Sequence, residues 1–392
     1  MGVIVDSRRL RLSGSLAARG TRTLPRPWRN FILPPGEDEP DAVQPMMTDA
    51  QLTTALAGRK QHWGDFYAGR TRCMVLTGIA EPNPPPRPWP NPGEKKARIE
   101  WAWSAYQRDL RRAATIDDDF IPFLDPYTGT EIFAEAFGCK VHRPTDNMPF
   151  ALPFVTTPAQ ADRIRVPELS ASPLAVLFEI ADELRRRTGP AAVMRLVDTQ
   201  SPMDIVALIW DKTELFTAIL EAPDAVRHLA AKVHTLFTTF LDEWFRRYGR
   251  EFIAHFPYYY MPQGLTLSED EVGAVSPGMF REFFLPELQA LSDRYGGLGM
   301  HCCANSRHQW ENFKKIRNLR MLNICQPPDV TKAAYRAFAD ICGQHHGFWD
   351  ANVPPWEWPK ALPPRARMVI QVDAKDHTEA TVTLAKIRHA CG

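Results

Sequence analysis

The stretch "GMHCCANSRHQW", residues 299–310, brings one histidine and two adjacent cysteines together as His301, Cys302 and Cys303, with His308 five residues on. The apolar run leading into it predicts a strand over 297–303, and alternation along a strand puts residues two apart on the same face. His301 and Cys303 then converge, while Cys302 turns to the opposite face and His308 falls beyond the strand. An imidazole nitrogen and a thiolate on one face suit zinc, which binds such atoms at ~2.0–2.3 Å. Taken alone, the pair fits equally a small buried thiol beside a histidine.

Such a site must be held by a scaffold, and hydrophobic periodicity outlines one. Apolar strand candidates run over 71–80, 118–125, 191–198, 251–260, 297–303, 319–326, 345–352 and 367–373. Several are nearly continuous apolar runs, as in strands buried on both faces of a parallel sheet. Helices are predicted between them. Residues 172–189 have a serine cap, basic residues in the last turn and a terminal glycine, and 222–249 repeat the plan. The segment 276–297 opens with Ser-Pro, and its internal Pro286 should kink or split it.

Eight strands alternating with helices point to an α/β fold, a (β/α)8 TIM barrel with loop insertions. The folded unit is expected over 46–392, preceded by a flexible extension at 1–45. The Arg-rich start of that extension superficially resembles a transit peptide; an extension or an upstream start codon is the simpler reading. The Pro-rich run 81–94 reads as a stiff loop over the site.

With 47 basic and 46 acidic side chains the net charge is +1, which offers no electrostatic reason for a nucleic-acid or anionic-membrane partner. No apolar run approaches the ~20 residues of a membrane span. The seven cysteines are scattered and odd in number, so reduced thiols and a cytoplasmic location are expected.

Strand carboxyl ends face the active site of such a barrel. That rule selects Asp125, Asp198, Gln200, Tyr258, His301, Cys303, Asn323, Cys325, Trp349, Asp350 and Asp373, with Asn352 just beyond. Asp198, Gln200 and Tyr258 are expected to do chemistry, and Asp125, Asn323, Trp349, Asp350 and Asn352 to contact a small-molecule substrate. His345 and His346 would open their strand at the wrong end and be structural. The acidic run 269–271 is read equally as a solvated helix start or as a functional group.

Beyond residue 170 the chain resembles the uroporphyrinogen decarboxylase superfamily, which includes the haem-pathway decarboxylase and zinc methyltransferases that move methyl groups between corrinoids and thiols. "TELFTAILEAPDAVRHLAAKV" is similar to its helix with a Pro-Glu/Asp-x-Val start, and "SEDEVGAVSPGMFREFFLPEL" to its acidic loop and Phe-x-x-Phe-x-x-Pro helix. "GMHCCANS" falls where the methyltransferases have His-x-Cys-Gly, and "GFWDANVPP" where Gly-Asn-Val-Asp-Pro is common. The resemblance implies zinc, a substrate thiol, a corrinoid methyl donor or corrinoid protein partner, and roles for Glu269 and Asp270 in orienting ligands.

The chain also departs from that pattern. It lacks the Arg-Gln-Ala-Gly-Arg-Tyr segment of the decarboxylase, which argues against uroporphyrinogen as substrate. The methyltransferases take a third zinc ligand, a cysteine, from the loop after the last strand, where this chain has Val372 and Asp373. Three outcomes stand: Asp373 completes the site, Cys325 completes it from the neighbouring strand, or no zinc binds and His301 is an acid–base group. A cofactor-free decarboxylase of a small aromatic or pyrrolic acid is the alternative enzyme, and a non-catalytic tetrapyrrole- or corrinoid-binding barrel the alternative outside catalysis.

Overall fold

In the computed structural model, which describes residues 47–79, 85–346 and 353–391, most of the apolar runs become parallel strands. Strand β1 (Cys73–Ile79) pairs with β12 (Arg367–Ala374). The ladder continues through β11 (Gly343–Gln344), β10 (Leu319–Ile324), β9 (Leu298–Cys302) and β8 (Leu265–Ser268), all parallel. A second sheet runs β2 (Phe123–Leu124), β5 (Val193–Arg195), β6 (Phe252–Ile253) and β7 (Tyr260–Met261), with β7 antiparallel to β6. A hairpin of β3 (Lys140–His142) and β4 (Phe150–Leu152) forms its own small sheet.

Two seams join the larger sheets. At one, Gln200 bridges Ser268, and the Ser268 and Ser201 amides donate to the Thr199 and Ser268 carbonyls at 2.9 and 2.8 Å. At the other, the Asp119 amide donates to the Val75 carbonyl at 2.9 Å. There the carboxylates of Asp119 and Asp118 accept from the Val75 and Thr77 amides at 2.7 and 2.8 Å. Side-chain oxygens stand in for ladder carbonyls where the short β2 does not reach β1. The result is an α/β fold of two largely parallel sheets.

Helices cover the outer faces because their apolar residues recur every three or four positions. Pro223–Tyr248 buries Val226, Leu229, Val233, Leu236 and Phe240. It begins at proline and stops at Gly249, whose φ of 93° an L side chain rarely adopts.

Four sequence expectations need correction. The run 251–260 is not one strand: Pro257, with no amide to donate, interrupts it, and the chain returns antiparallel as β7. Of the strand expected at 345–352 only His345 and His346 are among the described residues; they follow β11 instead of opening a strand, and both are fully buried. Ahead of Pro286 the helix does not split; it widens into a π-helical turn at Phe280–Phe284, since proline leaves a carbonyl without a donor.

Finally, Cys73 of β1 is disulfide-bonded to Cys391 at the end of the helix His377–Cys391, so the seven thiols are not all reduced; the other five are free. No helix among the described residues is long and apolar enough to cross a membrane.

Candidate metal centre

The parallel pairing of β9 with β10 sets Asn323 beside His301 and Ile324 beside Cys302. Side chains of Asn323 and His301 therefore share a face, and alternation brings Cys303 and Cys325 to that face just past the strand ends. The ligand atoms of His301, Cys303 and Cys325 all lie within 4.8 Å of one another. His301 Nε2 is 2.9 Å from Cys303 Sγ. Asp373 is not in this group, so the geometry takes Cys325 of the two completions open in the sequence.

Hydrogen bonds fix each donor. Asn323 donates through Nδ2 to the His345 carbonyl, which turns its Oδ1 toward His301 Nδ1. Nδ1 must then carry a proton, and Nε2 faces the sulfurs. The Cys303 amide donates to Asp270 Oδ1, and its carbonyl accepts from Gln326 Nε2 at 2.7 Å. Phe256 packs edge-on against the imidazole at 4.6 Å. Cys303 is exposed, His301 buried and Cys325 half-buried, so the cluster is open on one side.

The titrations follow from these contacts. Cys303 is held down to about 5 by a hydrogen bond from Cys325, against burial, and then by the hydrogen bond and charge of His301. Cys325, the donor in that pair, is raised by it and by burial. Burial lowers His301, but the hydrogen bond and charge of Cys303 and the charge of Asp270 outweigh it, and the net shift is upward. One imidazole nitrogen and two sulfurs are a donor set that fits zinc.

Residues 126–344, more than half of the chain, match the family described as uroporphyrinogen decarboxylase (URO-D). The chain belongs to this family. A solved "methyltransferase from Methanosarcina mazei" shares the fold with a TM-score of 0.59 at 11% identity, covering 84% of this chain and 98% of its own. No curated protein sequence matches.

Around the cluster of this URO-D family member, the sequence-selected residues occupy distinct places. Asp198 is half-buried and donates its amide to Thr128 Oγ1 at 2.8 Å. Burial pushes it up to about 6, against the charges of Arg195 and His301. Gln200 sits on the sheet seam with a buried Oε1. Glu269 is fully buried next to Asp204, and burial together with Asp204 raises its pKa. Asp204 accepts from the Asp270 and Glu271 amides at 2.7 and 2.9 Å, so it anchors the loop that holds Cys303. Cys302 is buried on the opposite face and His308 is exposed. Asp373 projects from β12 beside Gly78, where a Cβ would meet its Oδ1 at 2.2 Å. Trp349, Asp350 and Asn352 lie outside the described residues.

A second cluster joins two of the selected residues, Asp125 and Tyr258, to two arginines that the sequence analysis did not single out. Arg195, at the end of β5, pairs with buried Asp125 at 2.7 Å and donates to the His255 carbonyl. Its guanidinium lies 4.7 Å from the ring of Tyr258, and Arg87 lies 3.5 Å over Tyr127 and 3.9 Å from Asp125. An arginine inside the apolar run "AAVMRLVD" was the available signal, since a charge buried in a strand needs a partner.

Proposed function

We propose that the protein is a zinc-dependent, methyltransferase-like enzyme that activates a thiol for methyl transfer, its two sheets forming one (β/α)8 barrel within residues 46–392. A small-molecule thiol is the acceptor, and a corrinoid, carried by a corrinoid protein, the donor. The observation that carries this reading is the convergence of His301, Cys303 and Cys325, with ligand atoms within 4.8 Å. Zinc, when bound there, supplies the Lewis acidity that makes a substrate thiol a thiolate at neutral pH.

The chain's own residues do the rest. Asn323 holds the imidazole with Nε2 inward, and Asp270 and Gln326 fix the backbone of Cys303. Asp198, titrating at about 6, is ionised at neutral pH and takes the proton of the incoming thiol. Tyr258, partly exposed beside Arg195, donates a hydrogen bond to the substrate, with Asp125 fixing the arginine. Gln200 and Asn323 line the same carboxyl edge. Glu269 supports Asp270 from within the core.

Metal analysis tests the reading directly. The purified wild type is expected to hold one zinc per chain, Cys303→Ala and Cys325→Ala less than about a tenth of that, and Asp373→Ala the full amount. A zinc-free wild type sinks it. Methyl transfer from methylcobalamin to 2-mercaptoethanol, followed by the corrinoid absorbance, should be lost in the same two variants.

One observation favours a second reading. Arg87 and Arg195 beside Asp125 supply the cations that a cofactor-free decarboxylase needs to hold a substrate carboxylate and developing charge. That reading predicts decarboxylation that survives chelator treatment and fails in Arg87→Met.

A further inference from the structure

Away from the metal centre, a cavity of about 180 Å³ opens between the loop after β1, the segment after β2 and the helix Ala175–Thr188. Pro90, Pro92, Ile132, Val176 and Leu177 make its walls largely apolar. One carboxyl group among the lining residues is only half used by the fold. Glu131 is 2% exposed, and its Oε2 is buried without a hydrogen-bond partner.

The cations nearby are mostly committed, though Arg98 and Arg143 each leave Nε buried without a partner. Arg143 donates to Glu135 at 2.6 Å, and Arg98 donates to the Pro126 and Tyr127 carbonyls at 3.0 and 2.6 Å. The backbone makes room for the free carboxyl: a Cβ at Gly129 would lie 2.2 Å from Glu131 Oε2. Burial pushes Glu131 up to about 7, against a hydrogen bond from its own backbone amide and the charge of Arg143. Leaving such a group unpaired is destabilising, and a ligand donor removes that cost.

We propose that this cavity binds a small organic amine whose ammonium group donates to Glu131 Oε2 and whose apolar body rests on Ile132, Val176 and Leu177. An ionised Oε2 can only accept, so the ligand group that meets it is a donor, and a carboxylate there would set like charge against Glu131. A volume near that of a benzene-binding cavity sets the ligand at roughly six to ten heavy atoms. The site is independent of the metal reading. It does share a wall with the metal-centre side, because Thr128 lines it and accepts the Asp198 amide.

Isothermal titration of the full chain with benzylamine at neutral pH tests the proposal. One benzylamine per chain is expected, with affinity at least tenfold weaker in Glu131→Gln and no binding in Val176→Trp, which fills the cavity from the opposite wall. Benzyl alcohol, isosteric but uncharged, should bind more weakly than benzylamine, and Cys303→Ala should bind benzylamine as the wild type does. Thermal unfolding confirms that each variant is folded. Absence of benzylamine binding in the wild type, or undiminished binding in folded Glu131→Gln, overturns the proposal. Loss of binding in Cys303→Ala assigns the amine to the metal centre and overturns it too.

Discussion

Arg195 and Asp125 are buried to 4% and 7% exposure, and a charge taken that far from water survives only when it is paired. Arg195→Met would leave the Asp125 carboxylate with the Tyr127 amide at 2.9 Å and the half-exposed Arg87 at 3.9 Å. A loss of ~3–5 kcal/mol is expected in urea unfolding, and adding Asp125→Asn should recover much of it. A single variant as stable as the wild type would show that the pair does not hold β2 to β5. Glu131 is the opposite case, a buried carboxyl whose folded pKa of about 7 lies above its usual value, mainly through burial, with Glu135 and Asp198 adding to it and Arg143 opposing. Between its ordinary pKa and about 7 the folded state binds the extra proton, so stability falls as pH rises through that window. The full cost, about 3 kcal/mol, is present above it. Glu131→Gln should therefore flatten the profile and be more stable than the wild type at pH above 7; an unchanged slope would place the proton elsewhere.

Elements meet here partly through side chains, and the seam between β1 and β2 is the clearest instance. Asp118 accepts from the Thr77 amide and from Arg112 at 2.7 Å, with Arg59 at 4.0 Å. Asp118→Ala strips the Thr77 and Phe120 amides and Arg112 of their acceptor, so a loss of about 3 kcal/mol is expected by chemical denaturation. In sequence Asp118 and Asp119 open the strand candidate 118–125, and nothing local marks their side chains as ladder substitutes. The same distinction separates what was legible from what was not. Long buried runs such as 297–303, 319–326 and 367–373 emerge as β9, β10 and β12, because continuous apolar sequence has few other places to go. The two-residue β11 and the β6–β7 return carry too few residues for periodicity to register, and β8, "LTLS", alternates too briefly to stand out. His301 and Cys303 needed only strand alternation. Cys325 needed the register of β9 against β10, which is a tertiary fact, and so stood level with Asp373 until that register was known.

At the scale of the whole molecule the chain closes on itself, since its first strand lies beside its last and is also bonded to its final helix. Cys73 and Cys391 are 318 residues apart, so no local pattern could have paired them; β1 packing against both β12 and the helix His377–Cys391 does so. A link across so long a loop acts mainly by restricting the unfolded chain, and removing it by Cys391→Ser should cost ~2–5 kcal/mol. The strand order β1-β12-β11-β10-β9 separates this link from the strands that carry the metal-ligating cluster. Zinc content should accordingly be unchanged in Cys391→Ser even as the unfolding midpoint drops. Thiol titration gives the direct check: in denaturant without reductant five cysteines should react, and after reduction all seven. Seven reactive thiols before reduction would remove the link, and with it the expectation that the two termini of the fold unfold as one unit.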